Sequence, residues 1–318
     1  MAKSIYQLIC DHISGDVLDP AFSLPEEDSD PAALHFADGA RDGIFVYHMA
    51  HSGLTAAQSR EMGKALRAAA GDRYEEAEAL MAAWTRECNV ARSINQMHKY
   101  VLDYADRLDA GKMFHNARSF MLFSSNAECV KAGIALMELY DLDERTKEII
   151  RRLGLCEEFT LFAVWNMNGW ENGNQEIFSL AQKVHGWGRI HAVERLQPET
   201  DEICRWLLLE GVRNDVMPAY SALTCWYKAE AEKVLFGKPS AEEYKGLAAI
   251  IGGLLDEGPV LGISELANAE EVLARFVDIT PDCVPGPEEY AVIDAVKQWA
   301  ENQGGSFLAI AAACSRIL

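Results

Sequence analysis

The chain has 318 residues, 49% of them hydrophobic and 25% charged, a globular composition that excludes intrinsic disorder. Its 29 basic and 49 acidic residues sum to −20, which repels phosphate backbones unless a local basic stripe overrides it. Eight cysteines (Cys10, Cys88, Cys129, Cys156, Cys204, Cys225, Cys283, Cys314) show no C-x-x-C and no tight cluster. Spread thiols predict a reducing compartment, so the protein is read as cytoplasmic. The N-terminus, with one lysine and a broken apolar stretch, does not predict a signal peptide. The longest apolar stretch, 246–255, falls well short of the roughly 20 residues of a membrane span, so no membrane partner is expected.

Helical spacing recurs along the chain while period-2 alternation is almost absent. A short helix is predicted over 4–13. Residues 15–42 are read as an acidic loop: Asp16, Asp19, Glu26, Glu27, Asp28, Asp30, Asp38 and Asp42 stand against Arg41, with three prolines among them. Ala- and Glu-rich helices follow at 55–70 and 73–87, then others near 91–108, 112–124 and 127–140. Ser240 and Glu243 form a capping box, Ser240 accepting from first-turn amides and Glu243 reaching back. Asn268 and Glu271 repeat that logic. Val284-Pro285-Gly286-Pro287 cannot continue a helix and predicts a break before the last two.

The segment 146–227 carries an internal repeat. Glu-Ile pairs at 148, 176 and 202, spaced by 28 and 26, each open a helix expected to close at Gly154, Gly186 or Gly211. A second helix follows each time, at 157–168, 187–196 and 217–228. A repeated helix pair of this period predicts a stacked α-solenoid. Stepping 100° per residue along 187–196 places Arg189 among Ile190, Ala192, Val193 and Leu196 on the apolar face. A buried guanidinium needs an acidic partner, for which Glu158 and Asp201 are candidates, so Arg189 is read as structural.

Arg189, Ala192 and Leu196, within Gly188-Arg189-Ile190-His191-Ala192-Val193-Glu194-Arg195-Leu196, resemble the R-x-x-A-x-x-x-L core of the second helix in HEAT and armadillo-type repeats. The run from Leu153-Gly154-Leu155 through Glu158-Phe159-Thr160-Leu161 to Leu196 is also similar to an uncharacterised bacterial group of such proteins, some carrying an automatic "limonene hydroxylase" label. The resemblance implies an all-α protein, an α-α superhelix of short antiparallel helix pairs whose second helices line a concave binding surface. One solenoid over 1–318 is expected, with an acidic helix and loop at 1–54, the clearest repeats at 91–237 and C-terminal capping helices at 238–318.

Chemistry for a hydroxylase is not legible. No cysteine sits in a Phe- and Gly-rich haem loop, and no H-x-D or H-x-E occurs. Gly186-Trp187-Gly188-Arg189-Ile190-His191 resembles a dinucleotide loop only superficially, since no strand precedes it and His191 stands where Gly or Ala belongs. His48 and His51, at i and i+3, could share a metal with His35, Asp38 and Asp42, but no fourth ligand is set by spacing, and these residues are read as solvated. No catalytic residue, metal or cofactor is assigned. Trp165, Trp170, Trp206 and Trp226 fall at apolar helical positions and are expected in the core.

The remaining arc of the middle second helix holds Trp187, His191, Glu194 and Arg195. The repeat spacing sets Asn166 and Tyr220 beside them. These six residues are the candidate ligand-binding patch, suited to a protein, a peptide or a polar ligand. An interaction scaffold, not an enzyme, is therefore the expected function. One alternative is a HEAT-like DNA alkylation-repair enzyme, which needs a basic groove. Arg151, Arg152, Arg189, Arg195, Arg205 and Arg213 cluster in the repeats, yet 140–215 carries at least as many acids, and nucleic acid is not an expected partner. Another is a small-molecule enzyme using the His191 arc as acid and base.

Overall fold

The computed structural model describes residues 3–25, 36–49, 53–258 and 260–318. Among the described residues it is all-α apart from one hairpin of two two-residue strands, and it divides into two compact units, 1–195 and 196–318. In the first unit α1 (Ile5–Asp11) is followed by the antiparallel strands β1 (Ile13–Ser14) and β2 (Val17–Leu18), then α2 (Ala40–His48), α3 (Ala56–Ala70), α4 (Tyr74–Thr85) and α5 (Val90–Asp103). The unit continues as α6 (Ala110–Phe123), α7 (Ala127–Met137), α8 (Glu144–Gly154), α9 (Glu157–Met167), α10 (Gly173–Ala181) and α11 (Gly186–Arg195). The second unit holds α12 (Asp201–Glu210), α13 (Ala219–Lys228), α14 (Ala231–Phe236), α15 (Ala241–Leu255), α16 (Ala269–Ile279), α17 (Pro287–Gln303) and α18 (Leu308–Ile317). No helix among the described residues is long and apolar enough to cross a membrane.

Local hydrogen bonding explains the helix starts. Ser240 Oγ accepts from Glu243 N at 3.3 Å while Glu243 Oε2 accepts from Ser240 N at 2.7 Å, closing the expected capping box. Thr55 and Gln58 do the same at the start of α3. Asn268 does not: it precedes α16 without capping it, and its amide donates to Glu232 Oε1 at 2.8 Å. The break at 284–287 falls where expected, Val284 taking a positive φ of 53° before Pro287 opens α17.

The three Glu-Ile segments form α8, α10 and α12, and each packs against the second helix that follows it, α9, α11 or α13. Gly154 and Gly211 lie at the ends of α8 and α12, but Gly186 opens α11 instead of closing α10. In the first unit the second helices form a row, α5 against α7, α7 against α9 and α9 against α11. Met97, Ile134, Leu136, Phe159, Phe162, Val164, Ile190 and Val193 are buried along it. Fully burying such side chains stabilises by roughly 1.5–3 kcal/mol each. Helix α1 lies against α6 and α8, anchored by Ile5 and Ile9. The second unit has its own core around Trp226, Tyr244 and Phe276. Trp165, Trp170 and Trp206 are half-buried, so Trp226 alone of the four tryptophans is fully enclosed.

The segment read as an acidic loop is in part structured. Residues 26–35 lie outside the described residues, as do His35 and His51 of the histidine group. Residues 40–48 form α2, which packs on α5, α9 and α11 and so lies across the row of second helices. Tertiary contacts, not local propensity, make this helix: Gly39 precedes it with φ 74° and offers no side-chain cap. A Cβ at Gly39 would come 2.7 Å from Glu157 O, so the chain can turn into α2 this close to α9 only at glycine.

Candidate functional site

Under α2 lies a cluster of ionisable side chains that the sequence reading does not anticipate. Lys131, in the apolar run Cys129–Met137 of α7, is fully buried, and Asp42 of α2 is 1% exposed. Lys131 Nζ stands 2.7 Å from Asp42 Oδ2, 2.9 Å from Glu128 Oε1 and 2.5 Å from Glu158 Oε1. The second oxygens are bonded too. Asn89 Nδ2 donates to Asp42 Oδ1 at 2.6 Å, Val90 N to Glu128 Oε2 at 3.2 Å and Gly39 N to Glu158 Oε2 at 2.6 Å.

Three carboxylates around one ammonium leave an excess of negative charge. The backbone answers it. Asp42, Glu128 and Glu158 lie in the first turns of α2, α7 and α9, and two of them accept amides at the starts of α5 and α2. Helix N-termini carry roughly half a positive charge each and stabilise anions there. Burial by itself would lower the Lys131 pKa, but Asp42, Glu128 and Glu158 outweigh it and hold the ammonium well above its ordinary value. Burial pushes Glu128 upward, with Lys131 opposing.

The three carboxylates gather closely enough to hold a metal ion, yet Lys131 Nζ lies within hydrogen-bond distance of all three. A cation would have to displace that ammonium, so the donor set does not fit a resident metal. The histidine-based site weighed from the sequence changes too. Asp42 is buried against Lys131, Asp38 is half-buried with Oδ2 near Cys156 Sγ at 3.9 Å, and His48 is exposed.

Five of the six predicted patch residues lie in the first unit, and three of them, Trp187, His191 and Glu194, meet α2. Trp187 is 7% exposed and His191 2%, and Tyr47 of α2 covers both. The Tyr47 and His191 rings stack at 5.9 Å and 10°, and Tyr47 lies 6.2 Å from Trp187. The Tyr47 hydroxyl donates to Glu194 Oε2. A Cβ on Gly43 would come 2.2 Å from Trp187 Cε3, so the backbone of α2 rests directly on the indole. Glu194 and Arg195 are exposed. Asn166 is 3% exposed and turned to structural bonds, its amide donating to Ile134 O at 3.1 Å and its oxygen accepting from Trp170 Nε1 at 2.9 Å. Tyr220 belongs to the second unit, half-buried on α13.

His191 Nε2 is buried and makes no hydrogen bond to a described residue. Burial lowers its pKa to about 4, against the pull of Asp42 and with the help of Arg195, so the imidazole is neutral at pH 7. Arg189 is 7% exposed, and its Nε donates to Val184 O at 2.8 Å. Glu158, one of its expected partners, is turned to Lys131 and Gly39, while Asp201 lies in the second unit at the start of α12.

Sequence reasoning missed Lys131, Glu128, Asn89 and Tyr47, and weighed Asp42 only as a ligand of the histidine group, where the structure pairs it with Lys131. One signal for Lys131 is present: a lone lysine at the centre of an apolar helix demands buried acids. No family model, curated protein or solved structure matches the chain.

Proposed function

We propose that the chain is an interaction scaffold of the HEAT- and armadillo-like kind, and that the row α5, α7, α9 and α11 of its first unit is a receptor surface for an amphipathic helix with a carboxylate on its buried face. The observation that carries this reading is the seating of α2, whose Asp42 reaches Lys131 and Asn89. Its Gly43 meets Trp187, and its Tyr47 covers His191 and reaches Glu194. A carboxylate between an ammonium and an amide, a glycine on an indole and a tyrosine on an imidazole are contacts of a helix laid on a receptor face. In this reading α2 is the tethered occupant, and exposed Glu194 and Arg195 are the rim. The nucleic-acid alternative draws little support, because Lys131 is enclosed by carboxylates and Arg151 is held by Glu144 and Glu176.

The test uses the full-length chain. Gly43→Leu should lift α2 from Trp187 without removing it. A labelled peptide with the sequence of residues 36–49 should then bind the variant saturably, and should fail to bind the Gly43→Leu/Lys131→Met double variant. A folded Gly43→Leu protein that ignores the peptide would overturn the reading. So would a Gly43→Leu protein that does not fold, since α2 would then be an integral part of the core.

A further inference from the structure

We propose that the cavity between α1, the β1–β2 turn, α8 and α10 binds a small monocarboxylate with an aliphatic body. The inference is independent of the helix-receptor reading, for the cavity is lined mainly by α1, α8, α10 and the N-terminal hairpin, and α9 reaches it only through its last residue, Met167. Its volume of 310 Å³ is within the range of ligand sites and equals roughly ten water volumes.

Two cations at the cavity are incompletely engaged. Lys183, just beyond α10, pairs at 2.8 Å with Asp16 from the turn between the two strands. The Lys183 side chain is only 27% exposed while that of Asp16 is 73% exposed, so the ammonium sits inward and its counter-charge reaches in from solvent. Arg152 gives Nε to Glu148 at 2.8 Å but turns Nη1 to the sulfur of Cys10 at 3.9 Å. Thiol sulfur is a weak acceptor, so a carboxylate oxygen would be a better partner for that guanidinium edge. Arg151, by contrast, is locked through two bonds to Glu176, at 2.9 and 2.8 Å. Leu155, Met167 and Leu180 supply an apolar floor.

Charge balance selects the ligand. Three cationic and three acidic side chains line the cavity. A monocarboxylate that displaces Asp16 from Lys183 keeps the balance, whereas a dianion would leave an uncompensated charge next to Glu148 and Glu176. Its aliphatic body takes the floor of Leu155, Met167 and Leu180, removing apolar surface from water. Asp16 then acts as an internal competitor, and this has a distinctive consequence: neutralising it should strengthen binding.

Octanoate is the probe, titrated calorimetrically into the full-length protein, with acetate, octan-1-ol and inorganic phosphate as controls. Octanoate should bind saturably and more tightly than each control. Lys183→Gln should weaken it about tenfold or more, the worth of one charge-assisted hydrogen bond. Asp16→Asn should tighten it. Circular dichroism and melting of both variants confirm that the fold is kept. The proposal is overturned if octanoate does not bind saturably, if octan-1-ol binds equally well, or if neither variant changes the affinity.

Discussion

The carboxylate of Asp42 meets the ammonium of Lys131 at 2.7 Å inside the first unit, and both side chains are essentially inaccessible to water. The pair joins α2 to the middle of the second-helix row and closes a cluster in which Glu128 and Glu158 share the same ammonium. Removing one partner of a buried ion pair is costly because the other charge stays behind.

Lys131→Met should therefore destabilise the protein by about 3–5 kcal/mol, since it strands three carboxylates at once. Asp42→Asn keeps the shape and leaves Lys131 two carboxylates, so its cost should be about 1–3 kcal/mol. Urea unfolding of the two variants measures the difference. Equal costs would mean that the ammonium is not the centre of the cluster.

Stability should depend on His191 between pH 7.5 and 5. Its folded pKa, about 4, lies below the ordinary value of 6.5, so the unfolded chain binds the proton more readily. The contribution of neutral His191 is complete above pH 6.5 and is lost as pH falls towards 4. At pH 5 the loss is about 2 kcal/mol. His191→Phe keeps an aromatic ring opposite Tyr47 and removes the titration, so its stability should fall less over this interval. Parallel stability curves for the two proteins would count against a neutral buried imidazole.

Arg189→Ala should cost at least about 2 kcal/mol, because the guanidinium is buried and its Nε bonds the Val184 carbonyl. A melting temperature within a degree of the parent chain would show that the side chain contributes nothing to the packing of α11.

Alkylation of the native protein should sort its thiols. Cys10, Cys204 and Cys283 are partly exposed, whereas Cys88, Cys129, Cys156, Cys225 and Cys314 are buried. Burial pushes the Cys156 thiol well above its ordinary range and that of Cys225 up to about 12, which suppresses their thiolates. Mass spectrometry after brief iodoacetamide treatment at pH 8 should find the first three labelled. Early labelling of Cys156 would mean that the contact between α2 and α9 opens readily.

What the sequence by itself determined is the part encoded within a few residues. The Ser240–Glu243 box and the Pro287 start are local hydrogen-bonding or steric signals, readable without knowing what lies across the chain, whereas Glu148-Ile149 lies inside α8, whose start is capped by Asp143. The apolar face of 187–196 likewise told that Arg189 is buried, because helical periodicity sets which side chains share a face. Asn268 marks the limit of that logic: its residue type suits a cap, but Glu232 on another helix takes its amide. Only the tertiary structure decided the fate of Asp42, Tyr47, Trp187 and His191. On a helical wheel Trp187 and His191 face away from the core, and they are buried because α2 lies over them. Asp42 stands in an acidic stretch that looks solvated, and it enters the interior because Lys131, Asn89 and the nearby helix N-termini gather around it. Attraction between groups so far apart in sequence leaves no period and no spacing in the chain. It exists only once folding has brought the two side chains within hydrogen-bond distance, where low dielectric makes their pairing strong.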